Sequence, residues 1–274
     1  MSRFRHEKKS KRRSRHEVPF RTMIPNLLTF LAATAGVTAI RYASVGRWKA
    51  AVAAILTAAI FDGMDGRVAR MLSATSKLGA ELDSLSDFVS FGVAPAMLTY
   101  FWMMQSVGEG TAYWAFRGVF WTVSIFYAMC GAFRLARFNI MIESGPSEPY
   151  WKHFFVGVPA PGGALLVLLP VLFSLALGVD QLPYAPILGT VSLLVCGLLL
   201  ACRIPTICAK HLHIPRRMLL PIVLIVIFYA GMLVSQLWET LIVTACCYYL
   251  SVPLCGLVFL RMKRRYERER AKVQ

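Results

Sequence analysis

Eight apolar runs, each close to the length that crosses a bilayer, occupy most of this chain: about 23–42, 49–66, 83–104, 112–133, 156–178, 185–203, 218–236 and 239–261. A helix rises 1.5 Å per residue, so ~20 apolar residues cover a hydrocarbon core ~30 Å thick. In lipid the backbone must satisfy its own polar groups, and each run meets that demand as a helix. The residue balance agrees: 57% hydrophobic against 16% charged, with a mean hydropathy of +0.57, belongs to a polytopic membrane protein rather than a soluble domain. The expected fold is all-α, an integral-membrane bundle of about eight transmembrane helices.

Basic loops stay on the cytoplasmic side of a membrane. With both ends in the cytoplasm, 26 of the 30 lysines and arginines fall in cytoplasmic segments, and Arg41, Arg47, Lys49 and Arg117 are the ones outside. An even number of spans with both termini cytoplasmic follows. Residues 1–22 then form a basic cytoplasmic arm, 23–262 a single transmembrane domain and 263–274 a basic cytoplasmic tail. The net charge of +16 would also suit a nucleic-acid tail. The arm, MSRFRHEKKSKRRSRHEVPFR, is better explained as a topology determinant touching anionic headgroups, so membrane lipids and no nucleic acid are the expected partners. Its basic lead is too long for a cleaved signal peptide. Seven cysteines are scattered with neither a disulfide framework nor zinc spacing. His211 and His213 lack acids or cysteines at ligand spacing and read as surface residues. Trp102, Trp114, Trp121 and Trp238 sit near run ends, where tryptophan anchors at the interface.

Against this background, residues 62–87, DGMDGRVARMLSATSKLGAELDSLSD, hold four of the chain's five aspartates. An acid inside a span is costly and marks a functional site by default. Ser73, Ala74, Thr75 and Ser76 make a natural turn between the second and third runs. Asp62 and Asp65 therefore lie on one arm of a helical hairpin, and Asp83 and Asp87 on the other. At the helical rise both pairs lie about 15 Å from the tip, so all four carboxylates can meet at one level. Spacings of i,i+3 and i,i+4 put each pair on one helix face. Gly66 and Gly79 would let the helix backbones approach closely.

Four converging carboxylates cannot all stay ionised without compensation. Hard oxygen ligands suit Mg²⁺ or Mn²⁺, and two such ions would balance the four charges. Arg70, one turn beyond Gly66, can grip phosphate oxygens at the same place, with Arg67 and Lys77 adding positive potential at the rim. Pairing with Arg67, Arg70, Arg134 and Arg137 as interhelical glue would explain one or two acids, but not four at matched depth. The pattern points to a phosphate-handling metal centre at the membrane surface. Asp87, the deepest acid of the second arm, is the best candidate for a general base.

This stretch resembles a known family, the CDP-alcohol phosphotransferases. Their pattern D-x2-D-G-x2-A-R-x8-G-x3-D-x3-D is met at every position by Asp62, Asp65, Gly66, Ala69, Arg70, Gly79, Asp83 and Asp87. The resemblance implies transfer of a phosphatidyl or related group from a CDP-linked donor to an alcohol, with release of CMP. It implies Asp62, Asp65 and Asp83 as metal ligands, Asp87 as a further ligand and the base, and Asp62, Gly66, Ala69, Arg70 and Gly79 at the CDP site. It also implies a homodimer.

Three further stretches, IPNLLT (24–29), GAFRLARFN (131–139) and FVGVPAPGGA (155–164), resemble the bacterial and archaeal phosphatidylserine synthase branch of that family. That branch has around eight spans where many relatives have six. The resemblance adds Asn26 and Thr29 to the CDP site. It implies CDP-diacylglycerol from the inner leaflet as donor and cytosolic L-serine as acceptor, at a site facing the cytoplasm in the membrane of a prokaryote. Serine's carboxylate needs a cation, and Arg134 and Arg137, at i,i+3, offer guanidinium forks, with Asn139 a polar contact. The same arginines suit positive-inside anchors. Guanidinium also binds phosphate, so glycerol phosphate or an inositol phosphate stays open as acceptor, with choline a further alternative. From another class, a cation transporter using the aspartates as its path predicts acids spread through the bilayer depth rather than gathered at one level. For Asn26 and Thr29 the plainer reading is a helix start with Pro25 in its first turn, which explains the proline but not the asparagine. Pro159, Pro161, Gly162 and Gly163 read as a bent, closely packed start to the fifth run.

Overall fold

The computed structural model describes residues 20–143, 154–179, 182, 184–202, 205–207 and 218–270. His211, His213, Asp180 and most of the basic arm lie outside these. Each apolar run is helical over most of its length. The helices are α1 (Phe20–Ser44), α2 (Trp48–Met71), α3 (Lys77–Asp87), α4 (Ala94–Met104), α5 (Arg117–Glu143), α6 (Ala160–Val167), α7 (Leu169–Ala176), α8 (Ala185–Ala201), α9 (Leu219–Ser235) and α10 (Leu237–Arg270). Three stretches, Met23–Ser44, Trp114–Met141 and Leu237–Gly256, are long and apolar enough to cross a membrane, and Ala185–Ala201 and Leu219–Ser235 are shorter apolar helices.

Pro170 and Pro95 each stand in the first turn of a helix that follows a break in a longer rod. Pro170 withholds a backbone N–H near the junction of α6 and α7. Between α3 and α4 the chain widens into one π-helical turn, Phe88–Val93, which helical periodicity alone did not predict. Pro95 has no N–H to return to the Phe91 carbonyl. The buried Tyr127 hydroxyl of α5 donates to that carbonyl instead, at 3.2 Å. Pro25 lies inside α1 rather than in its first turn, because the helix already begins at Phe20.

Small residues bring the helices together around this turn. A Cβ on Gly36 of α1 would sit 2.8 Å from the Ser90 Cα, and one on Gly131 of α5 would sit 3.5 Å from the Gly92 Cα. Two serines pin α1 to the rod: Ser86 donates to the Thr29 carbonyl at 3.0 Å and Ser90 to the Ala32 carbonyl at 3.1 Å. Phe91, Leu98, Trp102, Met103 and Tyr127 are fully buried where α4, α5 and α8 pack. Trp102 is thus a core residue and not the interface anchor expected of it, since α4 is covered by its neighbours. One feature departs from all-α. β1 (Phe154–Val156) and β2 (Pro205–Ile207) pair antiparallel, tying the segment before α6 to the segment after α8.

Candidate metal and nucleotide site

The turn between α2 and α3 closes as expected over residues 73–76. α2 ends when Ala74 N–H donates to the Ala69 carbonyl at 2.9 Å and Ser73 N–H to the Arg70 carbonyl at 3.2 Å. Ser73 takes the left-handed conformation, φ 50°, that this ending requires and that glycine would adopt with less strain. Ser76 then caps α3, its Oγ accepting from the Gly79 N–H at 3.0 Å. The arms pack on α1 far more than on each other, so α1 forms the floor between them.

Asp62 of α2 and Asp83 and Asp87 of α3 converge deep between the arms. One ligand oxygen from each lies within 4.8 Å of the other two. The Asp87 Oδ1 atom is buried with no hydrogen-bond partner. An all-carboxylate set with an unsatisfied oxygen fits a hard divalent cation such as Mg²⁺ or Mn²⁺. Asp65 stands outside this close group. It is 5% exposed, and Thr29 of α1 donates to its Oδ2 at 2.7 Å. Thr29 therefore positions one acid with its side chain while its carbonyl receives Ser86, an arrangement that its place in the sequence did not reveal.

Beside the acids lies a cavity of about 500 Å³, lined by Asn26, Thr29, Asp65, Gly66, Ala69, Arg70, Gly79 and Asp83 among others. This volume is ordinary for a small-molecule site. Six of the seven residues expected at the CDP site line it; Asp62 belongs instead to the carboxylate group. The two glycines play different parts. A Cβ on Gly79 would come within 3.1 Å of the Asn26 Oδ1, so the close approach at this glycine is to a side chain of α1 and not to the facing arm. Around Gly66 an added Cβ would meet nothing within 4 Å, so this glycine does not relieve helix packing; it leaves room in the cavity. Arg70 donates from Nε to the Gly66 carbonyl at 3.0 Å, which fixes its guanidinium at the cavity edge.

The residues expected at the acceptor take different partners. Arg134 is one turn beyond Gly131, whose close crossing with Gly92 brings α5 to the Asp87 end of α3. The buried Arg134 Nε has no hydrogen-bond partner. Arg137 turns to the end of α8, donating to the Ala201 carbonyl at 2.8 Å and the Cys202 carbonyl at 3.3 Å. Asn139 donates to the Ser84 Oγ at 3.0 Å, bridging α5 to α3 next to Asp83.

The profile of the CDP-alcohol phosphatidyltransferase family matches residues 22–201, from α1 to the end of α8. The CDP-diacylglycerol–serine O-phosphatidyltransferase of Mycobacterium leprae is 44% identical over 159 residues, 58% of this chain and 49% of that protein. The protein of the same name from Helicobacter pylori is 41% identical over 152 residues, 56% of this chain and 58% of that protein. The one from Saccharomyces cerevisiae is 39% identical over 116 residues, 42% of this chain and 38% of that protein. The chain spans about half the length of the curated relatives it matches. With the aspartates gathered beside a cavity and the profile covering 22–201, the chain belongs to the CDP-alcohol phosphatidyltransferase family.

Proposed function

We propose that this chain transfers the phosphatidyl group of CDP-diacylglycerol to the hydroxyl of L-serine, giving phosphatidylserine and CMP. One observation carries the reading: Asp62, Asp83 and Asp87 converge within 4.8 Å at the edge of a cavity lined by the small residues and the arginine of the CDP motif. The names of the relatives supply donor and acceptor. In this reading eight helical rods cross the membrane, both ends and the site face the cytoplasm, and two copies associate in the cytoplasmic membrane of a prokaryote. The distribution of basic residues supports the sidedness.

Asp62, Asp65, Asp83 and Asp87 would hold two Mg²⁺ or Mn²⁺ ions, which neutralise charge on the pyrophosphate and on the departing CMP. The remaining work falls to side chains. Gly66, Ala69 and Gly79 leave space for the nucleotide, with Asn26 and Thr29 on the cavity floor, and Arg70 holds phosphate oxygens. The serine oxygen bonds to the phosphorus that bears diacylglycerol, the bond from that phosphorus to the CMP oxygen breaks, and the serine proton passes to Asp87. The acids gather at one level near the hairpin, which favours this chemistry over an ion path. Asp87→Asn tests it. Loss of the base should lower CMP release by about 10²–10⁴-fold in a protein that still elutes as folded; near-normal release would remove Asp87 from this role.

A further inference from the structure

Tyr248 stands on α10, beyond the 22–201 stretch that the family profile covers. Its ring rests on α6, where a Cβ added to Gly162 would lie 3.3 Å from the tyrosine Cε1 and 3.5 Å from Cζ. The ring is held, yet the hydroxyl is not: it is buried and has no hydrogen-bond partner. Buried tyrosine hydroxyls usually find one. The neighbouring tyrosines do, Tyr249 at 2.8 Å from the Cys196 Sγ and Tyr127 at 3.2 Å from the Phe91 carbonyl.

The other buried side-chain atoms without partners among the described residues are Asp87 Oδ1, Arg134 Nε and, in the core, Trp102 Nε1. α6, on which the ring rests, packs against the π-helical turn that follows Asp87, and α5 crosses the same turn at Gly131, three residues before Arg134. Thus α3, α5 and α10 each bring an unsatisfied polar atom to one neighbourhood: a carboxylate oxygen, a guanidinium nitrogen and a phenolic hydroxyl. Their joint complement is a small molecule with a hydroxyl to give to the carboxylate and an anion to receive from the other two.

We propose that Tyr248 is an acceptor-positioning residue, its hydroxyl donating together with Arg134 to the anionic group of the alcohol while the alcohol's own hydroxyl faces Asp87. This rests on the phosphatidyl-transfer reading above and holds whether the anion is a carboxylate or a phosphate. It gives the last helix a part in choosing the acceptor.

The test uses the full chain in detergent with CDP-diacylglycerol and Mn²⁺, first offering the unsubstituted protein serine, glycerol phosphate, inositol phosphate and choline in turn. Use of a phosphorylated alcohol instead of serine overturns the serine assignment alone, and the comparison proceeds with that alcohol. Use of choline alone, which bears no anion, or of no alcohol, overturns the Tyr248 proposal. Tyr248→Phe keeps the ring on Gly162 and removes one donor to an anion, so the acceptor KM should rise about tenfold while the donor KM moves less than about twofold. Tyr249→Phe should leave both KM values within about twofold. Gly162→Ala, which pushes the ring, should raise the acceptor KM alone but add nothing to Tyr248→Phe. An unchanged acceptor KM in Tyr248→Phe, or donor and acceptor KM rising together, overturns the proposal.

Discussion

Thr29→Val isolates the contact that ties α1 to the acidic arms. The Thr29 hydroxyl donates to Asp65 Oδ2 at 2.7 Å, and both residues are 5% exposed. Valine fills nearly the same space but offers no proton, leaving a buried carboxylate oxygen without its donor. A hydrogen bond to a charged group contributes about 1.5–3 kcal/mol, and loss of a partner that orients a metal ligand typically costs about 10- to 100-fold in metal affinity or activity. The Mn²⁺ concentration for half-maximal CMP release should therefore rise about 10- to 100-fold. Ser86 bonds to the Thr29 carbonyl, which valine retains, so α1 and α3 stay pinned. Thr29→Ser keeps the hydroxyl and should stay near the unsubstituted value. Calorimetric titration of Mn²⁺ into each protein, without donor lipid, gives a reading independent of turnover. An unchanged Mn²⁺ dependence in Thr29→Val, or a serine variant as impaired as the valine one, would refute the reasoning.

Gly66→Ala should raise the donor KM without lowering the thermal midpoint, since the new methyl enters the cavity and meets no protein atom within 4 Å; a lowered midpoint with unchanged donor KM would return this glycine to a packing role. Gly36→Ala places a Cβ 2.8 Å from the Ser90 backbone, an overpacking worth about 1–3 kcal/mol, and scanning calorimetry in detergent should register a midpoint lower by about 2–10 °C. Arg134→Gln and Arg137→Gln should part company. The first should raise the acceptor KM about tenfold. The second removes bonds to the Ala201 and Cys202 carbonyls and should act mainly on thermal stability. Equal effects of both on the acceptor KM would restore the arginine pair expected from their i,i+3 spacing.

The acidic hairpin was readable from the chain because helical rise and spacing are local properties: residue offsets from a small polar turn put Asp62, Asp65, Asp83 and Asp87 at one level before any fold was known, and Asp62, Asp83 and Asp87 converge while Asp65 stands apart. That the apolar runs are helical was readable for a similar reason, since a chain in lipid must satisfy its own backbone polar groups. What periodicity could not supply was the third party to each contact. Thr29 bonds Asp65 across 36 residues, and Gly66 faces open space only because α1 lies between the arms. Arg137 finds the end of α8 across 64 residues, so its shared face with Arg134 says little about where its guanidinium goes. The π-helical turn after Asp87 had one faint signal, Pro95, whose missing N–H needed a donor that only the packed α5 revealed as Tyr127. Trp102 looked like an interface residue because its depth in the bundle depends on which helices cover α4.

The most direct measurement is CMP release by the purified protein given CDP-diacylglycerol and Mn²⁺, with each acceptor alcohol offered separately and the lipid product identified by mass spectrometry. Phosphatidyl transfer to serine at the carboxylate site predicts CMP and phosphatidylserine in equal amounts with serine, and neither when the metal is chelated. CMP released only with another alcohol would contradict serine as acceptor while leaving the carboxylate site its role, and no CMP with any alcohol would contradict phosphatidyl transfer itself.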